Sequence, residues 1–118
     1  MEKVNIPVNN SLPKKLRILK SESFQEIFKK GKKVSTKNFA FYILLNNLGF
    51  PRLGISVGKK VSNKANKRNR IKRLIRESFR ANKYLFKSND IVVIVKNDIS
   101  ELKQHDIFNE IEKAVVKF

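Results

Sequence analysis

The chain has 118 residues, with 27 Lys and Arg against 10 Asp and Glu, a net charge of +17, and no cysteine. That length suits one domain with a modest core, and 41% hydrophobic residues are enough to fill it. The lack of cysteine excludes disulfides, a thiolate nucleophile and Cys-ligated zinc. The one-sided charge repels itself in a compact chain and attracts a polyanion, a nucleic acid before an anionic membrane surface.

Residues 1–12, MEKVNIPVNNSL, mix Asn with isolated apolar residues in no period. They read as a flexible tail ahead of a single nucleic-acid-binding domain, 13–118. They lack the apolar stretch of a secretory signal, and no run in the chain approaches the length of a membrane span. A cytoplasmic protein with no membrane partner is the expectation.

A short first helix follows. Ser21 or Ser23 is placed to cap it, Ser23 and Glu26 have capping-box spacing, and Gly31 is placed to close it. Phe24, Ile27 and Phe28 fall at i, i+3 and i+4, one apolar face that reads as core. Asn38–Leu45, NFAFYILL, has the aromatic and aliphatic content of a strand. Its alternation sends Phe39, Phe41, Ile43 and Leu45 one way and Ala40, Tyr42 and Leu44 the other.

After a loop with Gly49 and Pro51, Arg52–Gly58, RLGISVG, is a second strand. Leu53, Ile55 and Val57 share one face; Gly54, Ser56 and Gly58 share the other. Residues that small cannot fill a core, so either a closely packed helix or a ligand approaches that face.

A long helix is expected over Lys64–Phe86. Ile71, Leu74, Ile75, Phe79, Leu85 and Phe86 form its apolar side; Asn69, Arg73, Arg76, Arg80, Lys83 and Lys87 form the opposite one. Ile91–Val95, IVVIV, is continuous and apolar, as buried central strands are. From His105 or Asp106 onward, Ile107, Phe108, Ile111, Val115 and Phe118 mark a final amphipathic helix. The order is helix–strand–strand–helix–strand–helix, an α+β (α/β sandwich) fold around a small mixed sheet.

The basic helix is the strongest chemical signal. KRNRIKRLIRESFR, residues 67–80, packs seven cations and one carboxylate into fourteen positions, and Glu77 is the only acid between Lys59 and Lys87. Cations on an ordinary solvated helix are relieved by acids three or four positions away. Here that relief is scarce, and a row of phosphates would supply it while releasing counterions. The Arg-rich centre favours bidentate phosphate contact. Asn69, between Arg68 and Arg70, suits a base edge, a 2′-OH or a local cap equally well.

Tyr42 is the aromatic residue best placed to stack on an unpaired base, because it stands over the strand face of small residues. Enzyme chemistry has no visible machinery. The single histidine, His105, has no evident acid–base partner. The carboxylates are scattered without paired spacing, which argues against a protein-held metal centre, and the residues around Gly54 and Gly58 miss P-loop spacing.

Laid out in this order, the chain resembles the bacterial ribonuclease P protein family. KRNRIKRLIRESFR is similar to that family's arginine-rich signature, with Arg68-Asn69-Arg70 at its heart. GISVGKKV (Gly54–Val61) is similar to the strand before it, and LRILKSESFQEIFKKGKK (Leu16–Lys33) to the family's opening segment. The similarity runs from about residue 13 to 118.

The resemblance implies a protein without catalytic residues of its own, which steadies metal binding while Mg is held mainly by its RNA partner. Such a protein joins a catalytic RNA, which uses Mg to remove the 5′ leader of precursor tRNA. It implies that Arg68, Asn69, Arg70, Lys72, Arg73 and Arg76 face the RNA subunit. It places Phe24, Phe28 and Tyr42 along a cleft for the single-stranded leader, with Lys59 and Lys60 at its edge. It also implies a left-handed βαβ crossover, against the usual rule.

Two rival readings remain. A ribosomal or RNA-chaperone protein would use the same basic helix without the Tyr42 platform. A DNA-binding helix-turn-helix fits poorly, since the basic helix lies between strands, and no DNA partner is expected.

Overall fold

The computed structural model describes residues 16, 17 and 21–118, with the backbone alone for Ser21, Glu22 and Asn82. The expected tail, 1–12, and the first residues of the expected domain lie outside the described residues, as does the Ser21 side chain as a cap.

Helix α1 spans Ser21–Lys30. Ser23 therefore sits inside the first turn, and the expected Ser23–Glu26 capping box is not the start of the helix. Gly31 does close it, by close approach and not by a left-handed backbone. Its N–H donates to the Ile27 carbonyl at 2.8 Å. A Cβ there would collide with that carbonyl and lie 2.9 Å from the carbonyl oxygen of Ile43.

The chain turns directly into strand β1, Lys32–Ser35, which the sequence reading missed. Only Val34 of its four residues is buried, so it has no alternation long enough to notice. Lysines on a short edge strand also discourage pairing with other chains.

Strands β2 (Phe39–Leu45), β3 (Arg52–Ser56) and β4 (Asn89–Val95) complete a sheet ordered β1-β2-β4-β3. The β1–β2 and β2–β4 pairs are antiparallel, and β3–β4 is parallel. The expected second strand thus ends two residues early. Gly58 instead accepts a bond from the Val61 N–H at 3.1 Å, closing a turn with Lys59 and Lys60 at its tip. The outer edge of β3 is partly covered, because Arg17 makes a parallel bridge to Leu53.

The inner face of the sheet holds the main core. Phe39, Phe41 and Ile43 of β2, Leu53 of β3, and Ile91, Val93 and Val95 of β4 are all buried there. Against them lie helix α2 (Ala65–Asn82), through Ile71, Leu74, Ile75 and Phe79, and helix α3 (Gln104–Val115), through Ile107, Ile111 and Ala114.

The expected long helix stops at Asn82, and a 3-10 turn, Lys83–Leu85, follows. That break lets Phe86 swing back and stack on Phe79, with ring centroids 4.9 Å apart and planes 20° from parallel. Both rings are buried.

Polar bonds fix α3. Glu110 accepts bonds from the Thr36 hydroxyl, from the Asn38 backbone N–H at 2.8 Å and from the Asn38 side-chain amide at 2.7 Å. At its other end, the Gln104 amide donates to the Leu74 carbonyl at 2.9 Å and to the Ser78 hydroxyl at 2.6 Å.

Helix α1 packs on the opposite face of the sheet, over β2 and β4. Ile27 and Val92 are the buried centre of that smaller cluster, with Phe24, Tyr42, Leu44 and Ile94 around them.

Candidate nucleic-acid interface

Helix α2 begins with nothing to neutralise its N-terminal charge. Its cap, Lys64, makes no side-chain capping bond, and its first turn carries no acid. The exposed amides and the aligned peptide dipoles favour negative charge at that end. The cations behind it make the same demand along the helix.

The structure sorts those cations by direction. Asn66, Asn69, Arg70, Arg73 and Arg76 line one shallow groove, with no carboxylate among them. Arg70 is steered by a bond from its Nε to the Ser100 carbonyl, 3.0 Å away, which anchors it toward the start of α3. Arg73 and Asn69 are exposed. Arg76 is half-buried, and its guanidinium is pulled below the usual arginine range by burial and by the like charge of Arg17. The negative charge of a phosphate oxygen in the groove would offset both effects.

Arg68 does not join this groove. Its Nη1 donates to the Ser62 carbonyl at 2.9 Å, bracing the loop that leads into α2. Lys72 follows Arg68 by one turn and is half-buried on that same flank. The six residues expected to form one RNA surface therefore divide between a groove (Asn69, Arg70, Arg73, Arg76) and a flank (Arg68, Lys72). Asn66, three positions before Asn69, was missed, although helical spacing alone places it on the groove stripe.

The aromatic residues meet on the outer face of the sheet. Phe28 is 41% exposed and sits edge-on to Tyr42, with centroids 5.0 Å apart at 86°. Phe24 extends the row, 6.5 Å from Phe28. The expectation that Phe24 and Phe28 are core is half met: Phe24 packs partly buried against the Ile27 cluster, whereas Phe28 is exposed and meets the Phe24 and Tyr42 rings. Lys33 of the missed strand β1 places its Nζ 5.7 Å from the Tyr42 ring centroid, within cation–π range.

Register shows what lies beside these rings. Ser35 pairs with Ala40, Ala40 with Ile94, and Ile94 with Ser56, so a row of mostly small side chains crosses the outer face next to Tyr42. In that row Ser35 and Ser56 are exposed, Ile94 is half-buried and Ala40 is buried, and together they make the floor of this face. Lys59 and Lys60 stand at its far end, exposed, where β3 gives way to its turn. Two strand spacings, about 10 Å, separate β3 from the strand of Tyr42. The floor therefore has aromatic rings at one side and lysines at the other, with the start of α2 just beyond.

At the other end of this face Asp90 accepts two bonds from Arg52, at 2.8 and 2.6 Å, and one from Asn46 at 2.9 Å. The hydrogen bond to Asp90 holds the Arg52 guanidinium above its ordinary range against the opposing effect of burial. His105 is exposed, with its Nε2 3.3 Å from the Asn109 amide. Among the described residues no three His, Cys, Asp or Glu side chains cluster as metal ligands would. No helix among them is long and apolar enough to cross a membrane.

Comparison with known proteins meets this geometry. The family model described as Ribonuclease P matches residues 12–118. The chain is 48% identical over 108 residues to the ribonuclease P protein component of Syntrophus aciditrophicus, covering 91% of this chain and 90% of that one. It is 39% identical over 106 residues to that of Edwardsiella ictaluri, covering 90% and 89%.

Two solved structures share the fold. A Staphylococcus aureus RNase P protein mutant with defective mRNA degradation activity superposes with a TM-score of 0.80 at 38% identity, over 88% of each chain. The Thermotoga maritima RNase P protein gives 0.78 at 33% identity, over 86% of this chain and 96% of that one. An arginine groove, an aromatic row where α1 meets the sheet and a match spanning nearly the whole sequence lead to one conclusion: the chain belongs to the ribonuclease P protein family.

Proposed function

We propose that this protein is the RNA-binding subunit of a cytoplasmic ribonucleoprotein endonuclease in which the partner RNA cuts precursor tRNA at the 5′ end of the mature sequence. The groove of α2 grips the phosphates of the catalytic RNA. The floor between Tyr42, Phe28 and Lys59–Lys60 takes the single-stranded 5′ leader, stacking its bases and pairing its phosphates with lysine. One observation carries this division of labour. The exposed Phe28 ring and the half-buried Tyr42 ring stand beside a row of mostly small side chains, an arrangement that suits stacking of unpaired bases.

Among the described residues no three acidic or histidine side chains gather as magnesium, with its octahedral array of oxygen donors, would need. Asp90 is occupied by Arg52 and Asn46, and Glu110 by Thr36 and Asn38. In this reading the metal is held by RNA phosphates, and the protein contributes position and charge.

Reconstitution tests this. Full-length protein is added to a ribonuclease P RNA at low magnesium, and release of the 5′ leader from precursor tRNA is scored. The protein should raise cleavage while showing none by itself. Cleavage by protein without RNA would overturn the proposal.

A further inference from the structure

Tyr84 is the most exposed aromatic side chain among the described residues, at 76%, and nothing in the leader cleft or the arginine groove uses it. It stands on the 3-10 turn that follows α2. That turn is rigidly seated. The Phe86 N–H closes it onto the Lys83 carbonyl at 3.2 Å, Phe86 is buried against Phe79, and the Asn89 amide bonds the Phe86 carbonyl at 2.8 Å. Lys87, directly after, holds a left-handed backbone at φ 55°, which lysine adopts only when its surroundings impose it. The ring is thus presented on a fixed platform and not on a wandering loop.

Its neighbours are cationic. Arg80, Lys83 and Lys87 surround it in sequence, with no acid between residues 80 and 87. Helical rise puts Tyr84 about 20 Å from Arg70, at the opposite end of α2 from the groove and the cleft.

We propose that Tyr84, with Lys83 and Lys87, is a second RNA contact, stacking one unpaired nucleotide while the lysines hold its flanking phosphates. The charge selects the occupant. A second copy of this chain would bring another +17 against the same cations, whereas RNA brings the opposite sign. Base stacking on an exposed ring also recovers apolar surface that water otherwise covers. The inference rests on the reading that this chain binds RNA.

The test uses the full-length protein and an oligouridylate long enough to span α2, titrated by fluorescence anisotropy. Tyr84→Ala should weaken binding about tenfold, and Tyr84→Phe, which keeps the ring, should bind almost as the parent does. Combining Tyr84→Ala with Tyr42→Ala should multiply the two losses, as separate contacts do.

Unchanged binding by Tyr84→Ala, while an Arg70→Ala, Arg73→Ala control weakens, would overturn this contact alone. Unchanged binding in both would reject the RNA-binding reading itself. Sedimentation of the parent protein without RNA decides the other occupant: a dimer abolished by Tyr84→Ala would overturn the proposal in favour of a contact between copies.

Discussion

Replacing Arg70 and Arg73 together by Ala should remove two phosphate contacts from the α2 groove, and salt dependence is where the loss will show. Each neutralised phosphate adds about 0.7 to 0.9 to the slope of log K against log salt, so the double variant's slope should be shallower by about 1.4 to 1.8. Between about 50 and 200 mM salt the parent should therefore lose about tenfold more affinity than the variant.

Structure sets the controls. Arg70 also bonds the Ser100 carbonyl, so its removal costs folding stability of about 1 kcal/mol, a loss that must be measured separately by urea unfolding. Arg73 is exposed and makes a cleaner single substitution, worth about half the slope change. Lys113→Ala, in the last turn of α3, removes one charge away from the groove and should leave the slope nearly unchanged. Filter binding of the full-length variants to the ribonuclease P RNA across a salt series reads all of this. A parallel loss of affinity at every salt concentration, with the slope intact, would refute phosphate contact by these two arginines.

Three further outcomes follow from the same geometry. Tyr42→Ala should weaken binding of precursor tRNA by about tenfold and leave mature tRNA almost untouched, measured by competition in the reconstituted complex; equal losses would remove the leader from this floor. Glu110→Ala strands two Asn38 donors, while the Thr36 hydroxyl keeps its bonds to Phe39, and should cost about 2 kcal/mol in urea unfolding, with Glu110→Gln losing less; a change below about 0.5 kcal/mol would show that the β1–β2 turn does not depend on α3. Gly31→Ala must push apart the Ile27 and Ile43 carbonyls and should lower stability by about 2 kcal/mol or more, seen as a fall in Tm; an unchanged Tm would mean that the junction has slack.

Much of the fold is written in periodicity. Alternation placed Phe39, Phe41 and Ile43 on the face that proves to be the core, and 3.6-residue spacing did the same for Ile71, Leu74, Ile75 and Phe79. Strand β1 escaped because one buried residue, Val34, makes no pattern. Missing it also hid Lys33 beside Tyr42. The end of α2 was placed four residues late, because Leu85 and Phe86 continue the apolar stripe in sequence. Only the Phe79–Phe86 stack shows why the helix must break before them.

The candidate site divides in the same way. Charge density and the order Arg68-Asn69-Arg70 are properties of the chain, and they point to RNA without any coordinates. Which arginines share a groove is not such a property: Arg68 and Arg70 are two residues apart on a helix and therefore point to different sides. Carbonyls contributed by distant loops, at Ser62 and Ser100, then hold each in place. The floor beside Tyr42 is likewise tertiary, since Phe28, Tyr42, Ile94 and Ser56 come from four elements. Sequence narrowed the partner to a polyanion, because charge and composition are summed over the chain, and the resemblance around Arg68-Asn69-Arg70 narrowed it to RNA. The fold alone decided where, because a surface exists only once strands are in register and a helix has chosen which face to cover.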